Sequence, residues 1–187
     1  WDPTDRGWGG RGKQVLKPGG IWYTAISGIW QTVWLEPVPS TFIRRLKLTP
    51  DIDQQLLMIE IDLDGDSAGL LVEAAAFQGW IRVEKTSTTA GETLALPVPE
   101  PHLWSPQNPF LYNLQVRLRK EGVIIDQIKS YFGMRKFSIA PDSQGRPRLC
   151  LNNQPLFQYG PLDQGYWPDG LYTPPNEAAM RSDLEFL

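Results

Sequence analysis

Short stretches in which apolar and polar residues alternate dominate the chain up to about residue 147. In the clearest stretch every second residue is apolar: Tyr112, Leu114, Val116 and Leu118. A period of two puts successive side chains on opposite faces of a strand, so this pattern predicts a half-buried β-strand. Glu121-Gly122 then predicts a hairpin turn into a second strand, Val123–Phe132.

Weaker alternation predicts further strands upstream, at residues 42–48, 57–63, 70–77, 79–83 and 93–98. In the first of them, Phe42, Leu46 and Leu48 are expected to face the core. Residues 85–91 are polar and are expected to form a loop between the last two strands. About seven short strands in about 100 residues predict an antiparallel sandwich of two sheets.

The chain changes character on both sides of this region. Residues 21–35 are expected to form paired strands around Ser27-Gly28, and the proline-containing segment Glu36-Pro37-Val38-Pro39 indicates a boundary. After residue 140, short strands are expected at 148–151 and 155–159. They lead to a helix with Thr173 as its predicted cap and an apolar stripe of Met180, Leu184 and Leu187. Three segments are therefore predicted: 1–36, 37–140 and 141–187.

Composition narrows the possible partners. With 187 residues, of which 41% are hydrophobic, the chain can bury a core. Its formal net charge of −3 disfavours a nucleic-acid partner, and its apolar runs are too short for a membrane-spanning helix. The single cysteine, Cys150, excludes an intrachain disulfide and is read as a buried hydrophobe rather than a reactive thiol. The chain starts without methionine, so the cellular compartment stays open.

Two motifs could indicate a ligand-binding or metal-binding site, but a structural role is the preferred interpretation of each. Residues 7–13 carry the letters of a phosphate-binding loop, but Gln14 stands where Ser or Thr would hold magnesium, so a surface loop is preferred. His102 is the only histidine and lies in a proline-rich connection, where a structural role is expected. One histidine and one cysteine assemble no structural zinc pattern, and neither a metal nor another cofactor is predicted.

The eight tryptophans allow two readings, core filling and stacking on sugar rings. Trp22, Trp30, Trp34 and Trp80 lie in strand-like contexts, which favours the core. Trp167 differs, because Asp163, Gln164, Tyr166 and Asp169 surround it in a loop that follows a predicted strand. Such a loop is where ligand-contacting groups of a β/α barrel collect.

Four segments, in order along the chain, resemble segments of the family 2 glycoside hydrolases. They are Ser27–Glu36 (SGIWQTVWLE), Leu103–Tyr112 (LWSPQNPFLY), Phe132–Lys136 (FGMRK) and Leu151–Phe157 (LNNQPLF). In that family, the first segment ends a sugar-binding jelly roll, and the second leads into a late strand of an immunoglobulin-like β-sandwich. The third segment ends the sandwich, and the fourth leads into the catalytic barrel. The resemblance thus implies the end of a jelly roll at 1–36, a sandwich at 37–140 and a truncated (β/α)8 barrel at 141–187.

The resemblance also implies a parent enzyme that hydrolyses β-glycosides with retention, as β-galactosidases, β-glucuronidases and β-mannosidases do. Its two catalytic glutamates would lie on later barrel strands, so no catalytic residue is assigned here and this piece is expected to be an inactive scaffold. Asp163, Gln164 and Trp167 are the expected substrate-binding residues. Gly160-Pro161-Leu162-Asp163 departs from the pattern Gly-Val-Asn-Arg-His-Glu that is common in β-galactosidases, so the resemblance does not imply galactose specificity and the sugar stays open. The alternative is a stand-alone carbohydrate-binding or structural sandwich.

Overall fold

The computed structural model describes residues 13–187. Twelve strands and one helix follow one another along this part of the chain: β1 Gln14–Val15, β2 Tyr23–Thr24, β3 Phe42–Asp51, β4 Leu56–Asp64, β5 Leu70–Gln78, β6 Ile81–Thr89, β7 Leu94–Pro97, β8 Tyr112–Lys120, β9 Val123–Phe132, β10 Phe137–Pro141, β11 Pro147–Leu151, β12 Gln154–Pro155 and α1 Glu177–Phe186. Contacts divide these elements between two compact units. Glu36–Gln158 is one unit, and the described residues up to Leu35 together with Tyr159–Leu187 form the other.

The larger unit is built around an antiparallel β-sandwich. One sheet has three strands in the order β3-β4-β7, and the other has four in the order β6-β5-β8-β9. One hydrophobic cluster draws side chains from both sheets, including Leu57 and Ile59 of β4 and Val116 and Leu118 of β8. The predicted sandwich is therefore confirmed, and the alternation in β8 correctly identified its buried face.

A β-bulge in β3 changes which residues face the core. The pairing of β3 with β4 shifts between Ile43 and Arg45, so one extra residue is accommodated there. Leu46 and Leu48 contact the core as predicted, but Ile43 rather than Phe42 is its buried member at the start of the strand. The backbone N–H of Ile43 donates to Oδ2 of Asp126 at 2.8 Å, which links this strand to β9.

The prediction that the polar segment 85–91 forms a loop is wrong for residues 85–89. Strand β6 continues to Thr89 and pairs with β5 along its length. This strand lies at the edge of its sheet, where both faces can carry polar residues without burying them. Backbone hydrogen bonds with β5 therefore make this polar segment a strand.

The hairpin turn between β8 and β9 has the predicted position. Glu121 and Gly122 both have positive φ, at 48° and 82°, which suits the right-handed twist of the two strands. Another turn residue, Gly65 at the end of β4, has φ 96°. A Cβ atom there would lie 2.3 Å from the carbonyl oxygen of Ser40, so this position requires glycine.

Strands β10, β11 and β12 form a small antiparallel sheet within the same unit. Two asparagines and one ion pair attach it to the sandwich. Asn152 accepts from the N–H of Lys136 at 3.0 Å and donates to the carbonyl of Trp104 at 2.9 Å. Asp53 accepts from Lys136 Nζ at 2.5 Å and from Asn153 at 3.0 Å. The strand predicted at 155–159 is shorter than expected, because only Gln154 and Pro155 pair with β11.

Several expectations for apolar residues are wrong. Residues 25–40 contain no strand, and β2 pairs in parallel with β1 instead of forming a hairpin around Ser27-Gly28. Trp30, Trp34 and Trp80 are exposed rather than core-filling. Alternating apolar residues indicate that one face of a segment should be buried, but a strand forms only where a partner is available for its backbone hydrogen bonds. Cys150, in contrast, is buried as predicted, with 2% exposure.

Helix α1 begins later than predicted. Its N-cap is Asn176, whose Oδ1 accepts from the N–H of Ala179 at 2.9 Å, and Thr173 lies outside the helix. Thr173 N–H instead bonds the carbonyl of Gly170 in a preceding turn. The predicted stripe of Met180, Leu184 and Leu187 is exposed, and no residue of the helix is buried.

Candidate functional site

Aromatic rings gather in the smaller unit, around the loop that contains the predicted site residues. Tyr23 stacks on Tyr166 with ring centroids 4.0 Å apart, and Tyr166 contacts Tyr172 at 4.7 Å. Trp30 in turn contacts Tyr172, with ring centroids 5.6 Å apart. Residues from both ends of the described chain therefore meet in one aromatic cluster, defined here as Tyr23, Trp30, Tyr166 and Tyr172.

Hydrogen bonds fix the polar ends of these rings. The Tyr23 hydroxyl donates to Oε1 of Gln164, and the Tyr166 hydroxyl donates to the carbonyl of Thr24 at 3.2 Å. Burial, followed by the hydrogen bond with Tyr172, raises the pKa of Tyr166 to about 12. Tyr166 therefore keeps its proton at neutral pH and acts as a neutral hydrogen-bond donor.

The three predicted site residues occupy the same loop but have different surroundings. Oδ1 of Asp163 accepts from the N–H of Gly165 at 2.7 Å, a local turn that positions the exposed carboxylate. Trp167 exchanges two backbone hydrogen bonds with Leu171, at 2.7 and 3.1 Å. Gln164 is engaged by Tyr23, as described above. Asp163 and Trp167 line a common groove, whereas Gln164 is not among its lining residues.

This groove has a volume of about 590 Å³. Its lining is mostly apolar and aromatic, with two carboxylates: Trp30, Pro161, Leu162, Asp163, Gly165, Trp167, Tyr172, Pro174, Met180, Asp183, Leu184, Phe186 and Leu187. Asp183, Trp30 and Tyr172 were not predicted as site residues. Tyr172 could have been suspected from its place five residues after Trp167, but nothing in the sequence placed Trp30 beside it.

The groove offers what a neutral sugar requires, because aromatic faces can contact the C–H bonds of the ring and carboxylates can accept from its hydroxyls. No group of three His, Cys, Asp or Glu side chains within residues 13–187 is arranged to hold a metal ion. His102, in the larger unit, is exposed and its ring contacts Phe110 with centroids 5.0 Å apart. The predicted surface loop at residues 7–13 falls almost wholly outside the described residues.

Within residues 13–187, no helix has both the length and the apolar character needed to cross a membrane.

The fold of Glu36–Gln158 places the chain among proteins that are built around an immunoglobulin-like antiparallel β-sandwich. Residues 41–135, which comprise this sandwich, match the sequence model of Glycosyl hydrolases family 2. The match covers half of the chain, and the chain belongs to that family.

Named relatives agree with this assignment. A β-galactosidase of Leuconostoc mesenteroides is 33% identical in an alignment 155 residues long, which covers 72% of this chain and 14% of the relative. A putative β-glucuronidase of Formosa agariphila is 29% identical over 59% of this chain and 14% of its own length. This chain thus spans about a seventh of these curated relatives.

Solved structures show the same fold. The apo structure of β-glucuronidase from Ruminococcus gnavus superposes with a TM-score of 0.65 at 16% identity, over 79% of this chain and 24% of that chain.

Proposed function

We propose that this chain is the non-catalytic scaffold of a retaining β-glycosidase that hydrolyses O-glycosidic bonds in carbohydrates. The observation that carries the proposal is the coincidence of the family match, residues 41–135, with the compact sandwich. The relatives are several times longer than this chain, which supports a division of labour in which the bond-cleaving groups lie elsewhere in the enzyme.

The flanking segments would then be parts of neighbouring domains. Residues 1–36 would end a sugar-binding jelly roll, and residues 141–187 would begin the catalytic (β/α)8 barrel. The exposed apolar residues of β10 and β11, Phe137, Ile139 and Leu149, and the stripe of α1 support this proposal, because they offer surface for the rest of the barrel to cover.

Retaining hydrolysis requires two carboxyl groups about 5 to 5.5 Å apart, one acting as acid and one as nucleophile. We expect no hydrolysis of nitrophenyl β-galactoside or β-glucuronide by the 187-residue chain. The longest open reading frame that contains this sequence should hydrolyse at least one nitrophenyl β-glycoside. Inactivity of that protein on β-galactosides, β-glucuronides and β-mannosides would contradict the enzyme assignment.

Turnover by the 187-residue chain itself would contradict the scaffold assignment. In that event the two carboxylates of the groove are the groups to test, through Asp163→Asn and Asp183→Asn. Loss of turnover in both variants would show that the groove is a complete active site.

We further propose that Asp163, Gln164 and Trp167 contact the substrate in the whole enzyme. Asp163 and Gln164 would accept hydrogen bonds from sugar hydroxyls, and Trp167 would stack on a ring. In the enzyme encoded by the longer reading frame, Trp167→Ala should lower kcat/KM by roughly tenfold or more, since burying a large aromatic side chain against the substrate contributes about 1.5 kcal/mol or more. Trp80→Ala removes a fully exposed tryptophan of the sandwich and serves as the matched control. Equal kcat/KM values for the two variants would remove Trp167 from the site.

A further inference from the structure

The outer face of the four-stranded sheet concentrates positive charge. Strand register places side chains on this face in four rows across β6, β5, β8 and β9: Thr89, Leu71, Arg119 and Ile124; Ser87, Glu73, Arg117 and Gln127; Lys85, Ala75, Gln115 and Lys129; Arg82, Phe77, Asn113 and Tyr131. Five of these sixteen side chains are cationic and one is anionic, which leaves four net positive charges. The chain as a whole carries −3, so this basic face opposes the overall charge.

The single carboxylate of the basic face orders the cations around it. Glu73 lies 2.6 Å from Lys85 Nζ and 3.3 Å from the guanidinium groups of Arg117 and Arg119. Arg117 also donates to Gln127 at 2.8 Å, and Arg119 donates to the carbonyl of Gly122 at 2.8 Å. One negative charge cannot neutralise three positive ones, so the group keeps an excess of positive charge in a fixed arrangement.

Two further cations flank this group without an ion pair among the described residues. Arg82 and Lys129 are both exposed, at opposite edges of the sheet. Lys129 and Lys85 end the same row, three strand spacings apart, or about 14 Å. The cations therefore form a band across the sheet.

The make-up of the basic face favours an extended polyanion over a folded protein. Protein interfaces have a centre depleted in charge and rich in apolar side chains. Here the two central rows contain Glu73, Gln115 and Arg117, with only Ala75 as an apolar residue. A charged, hydrogen-bonding surface of this kind suits a polymer that carries charges at regular intervals and hydroxyls between them.

We propose that the basic face binds a carboxylated polysaccharide, such as a polyuronate, at a site separate from the groove beside Trp167. Carboxylates along such a polymer would pair with Arg82, Lys129 and the excess charge around Glu73. The polymer's hydroxyls would meet Gln115 and Ser87. This binding requires no bond cleavage, so its test does not depend on the proposed hydrolytic function.

The test is affinity electrophoresis of the 187-residue chain in gels that contain polygalacturonate, with dextran gels as the neutral comparison. We expect retardation by polygalacturonate alone, and weakening as salt rises. The double variant Arg82→Gln/Lys129→Gln should bind about tenfold more weakly, since each exposed cation near an anionic surface contributes a few-fold. The matched control is Arg45→Gln/Lys47→Gln, which removes the same charge from exposed residues of β3.

Three results would overturn the proposal: no retardation by polygalacturonate, equal weakening in the two double variants, or tighter binding of a single-stranded oligonucleotide in a mobility-shift titration. The second would show a response to net charge alone. The third would show a nucleic-acid surface instead. Circular dichroism of each variant confirms that a loss of binding is not a loss of fold.

Discussion

Glu73 illustrates how one side chain depends on three strands. It is 8% exposed and lies between cations from β6 and β8. Burial raises the pKa of this carboxyl, but hydrogen bonds and charges from Lys85, Arg119 and Arg117 together outweigh burial and lower the pKa below its ordinary value. The carboxylate is therefore ionised throughout the neutral range, and removing its charge would leave three cations facing one another.

We expect Glu73→Gln to lower the free energy of unfolding by about 1–3 kcal/mol at pH 7, because the variant leaves a partly buried cation cluster without its counter-charge. The folded-state pKa lies below the unfolded value of about 4.3, so the stabilisation is complete above that pH and is lost as pH falls through the folded-state pKa. The difference between the two proteins in urea unfolding should therefore shrink on acidification.

The control for this prediction is Glu60→Gln. Glu60 makes an equally close ion pair, 2.7 Å from Lys47, but both side chains are half or more exposed. An exposed pair contributes about 0–1 kcal/mol, so this variant should stay near the wild-type stability at every pH. Equal losses of unfolding free energy in the two variants would show that burial of Glu73 does not strengthen its ion pairs.

At the scale of elements, α1 is held by its own ends more than by packing. The helix has ten residues and none of them is buried. Isolated helices of this length are marginal in water, so each terminal interaction has a large share in their stability. Asn176 provides the main one, through its hydrogen bond to Ala179, while Glu177 favours the positive end of the helix.

We expect Asn176→Ala to destabilise α1 by about 1 kcal/mol, since it leaves an N-terminal N–H without a partner. Amide hydrogen exchange of residues 179–184 should quicken about fivefold. Asn176→Asp keeps the acceptor and serves as the control. Unchanged exchange in the alanine variant would show that the cap does not limit the opening of this helix.

The elements differ in how well local sequence patterns predict them. Strand β8 was predicted with the correct buried face because its four apolar residues alternate without interruption. Because of the bulge in β3, Ile43 rather than Phe42 faces the core. A bulge is a property of the pairing between two strands, so the sequence of one strand does not reveal it. The helix start was misplaced because Thr173 and Asn176 are both acceptable caps, and a turn at Gly170 engages Thr173.

At the scale of the molecule, the core belongs to one unit. All members of the hydrophobic cluster fall between Ile43 and Met134, inside Glu36–Gln158. The buried residues Cys150 and Leu151 lie in the same unit. Because burial of apolar surface is the dominant favourable term in folding, this unit holds the main source of stability among the described residues.

We therefore expect residues 36–158, produced alone, to unfold in one cooperative transition with a midpoint within about 5 °C of that of the whole chain. Thermal unfolding followed by circular dichroism measures this midpoint. Residues 36–120 serve as the control, because this shorter piece lacks β9 with Phe132 and should show no cooperative transition. Absence of a transition in residues 36–158 would show that their folding requires the other segments.

Local alternation, turn residues and short motifs are enough to predict the sandwich, the inward-facing residues of β8, the hairpin at Glu121-Gly122 and the family. Tertiary structure is what makes the polar β6 an edge strand and leaves Trp30, Trp34 and Trp80 exposed. It alone placed Tyr23 against Tyr166 and gathered five cations on one sheet face. Those outcomes depend on which distant segments become neighbours, and no local pattern contains that information.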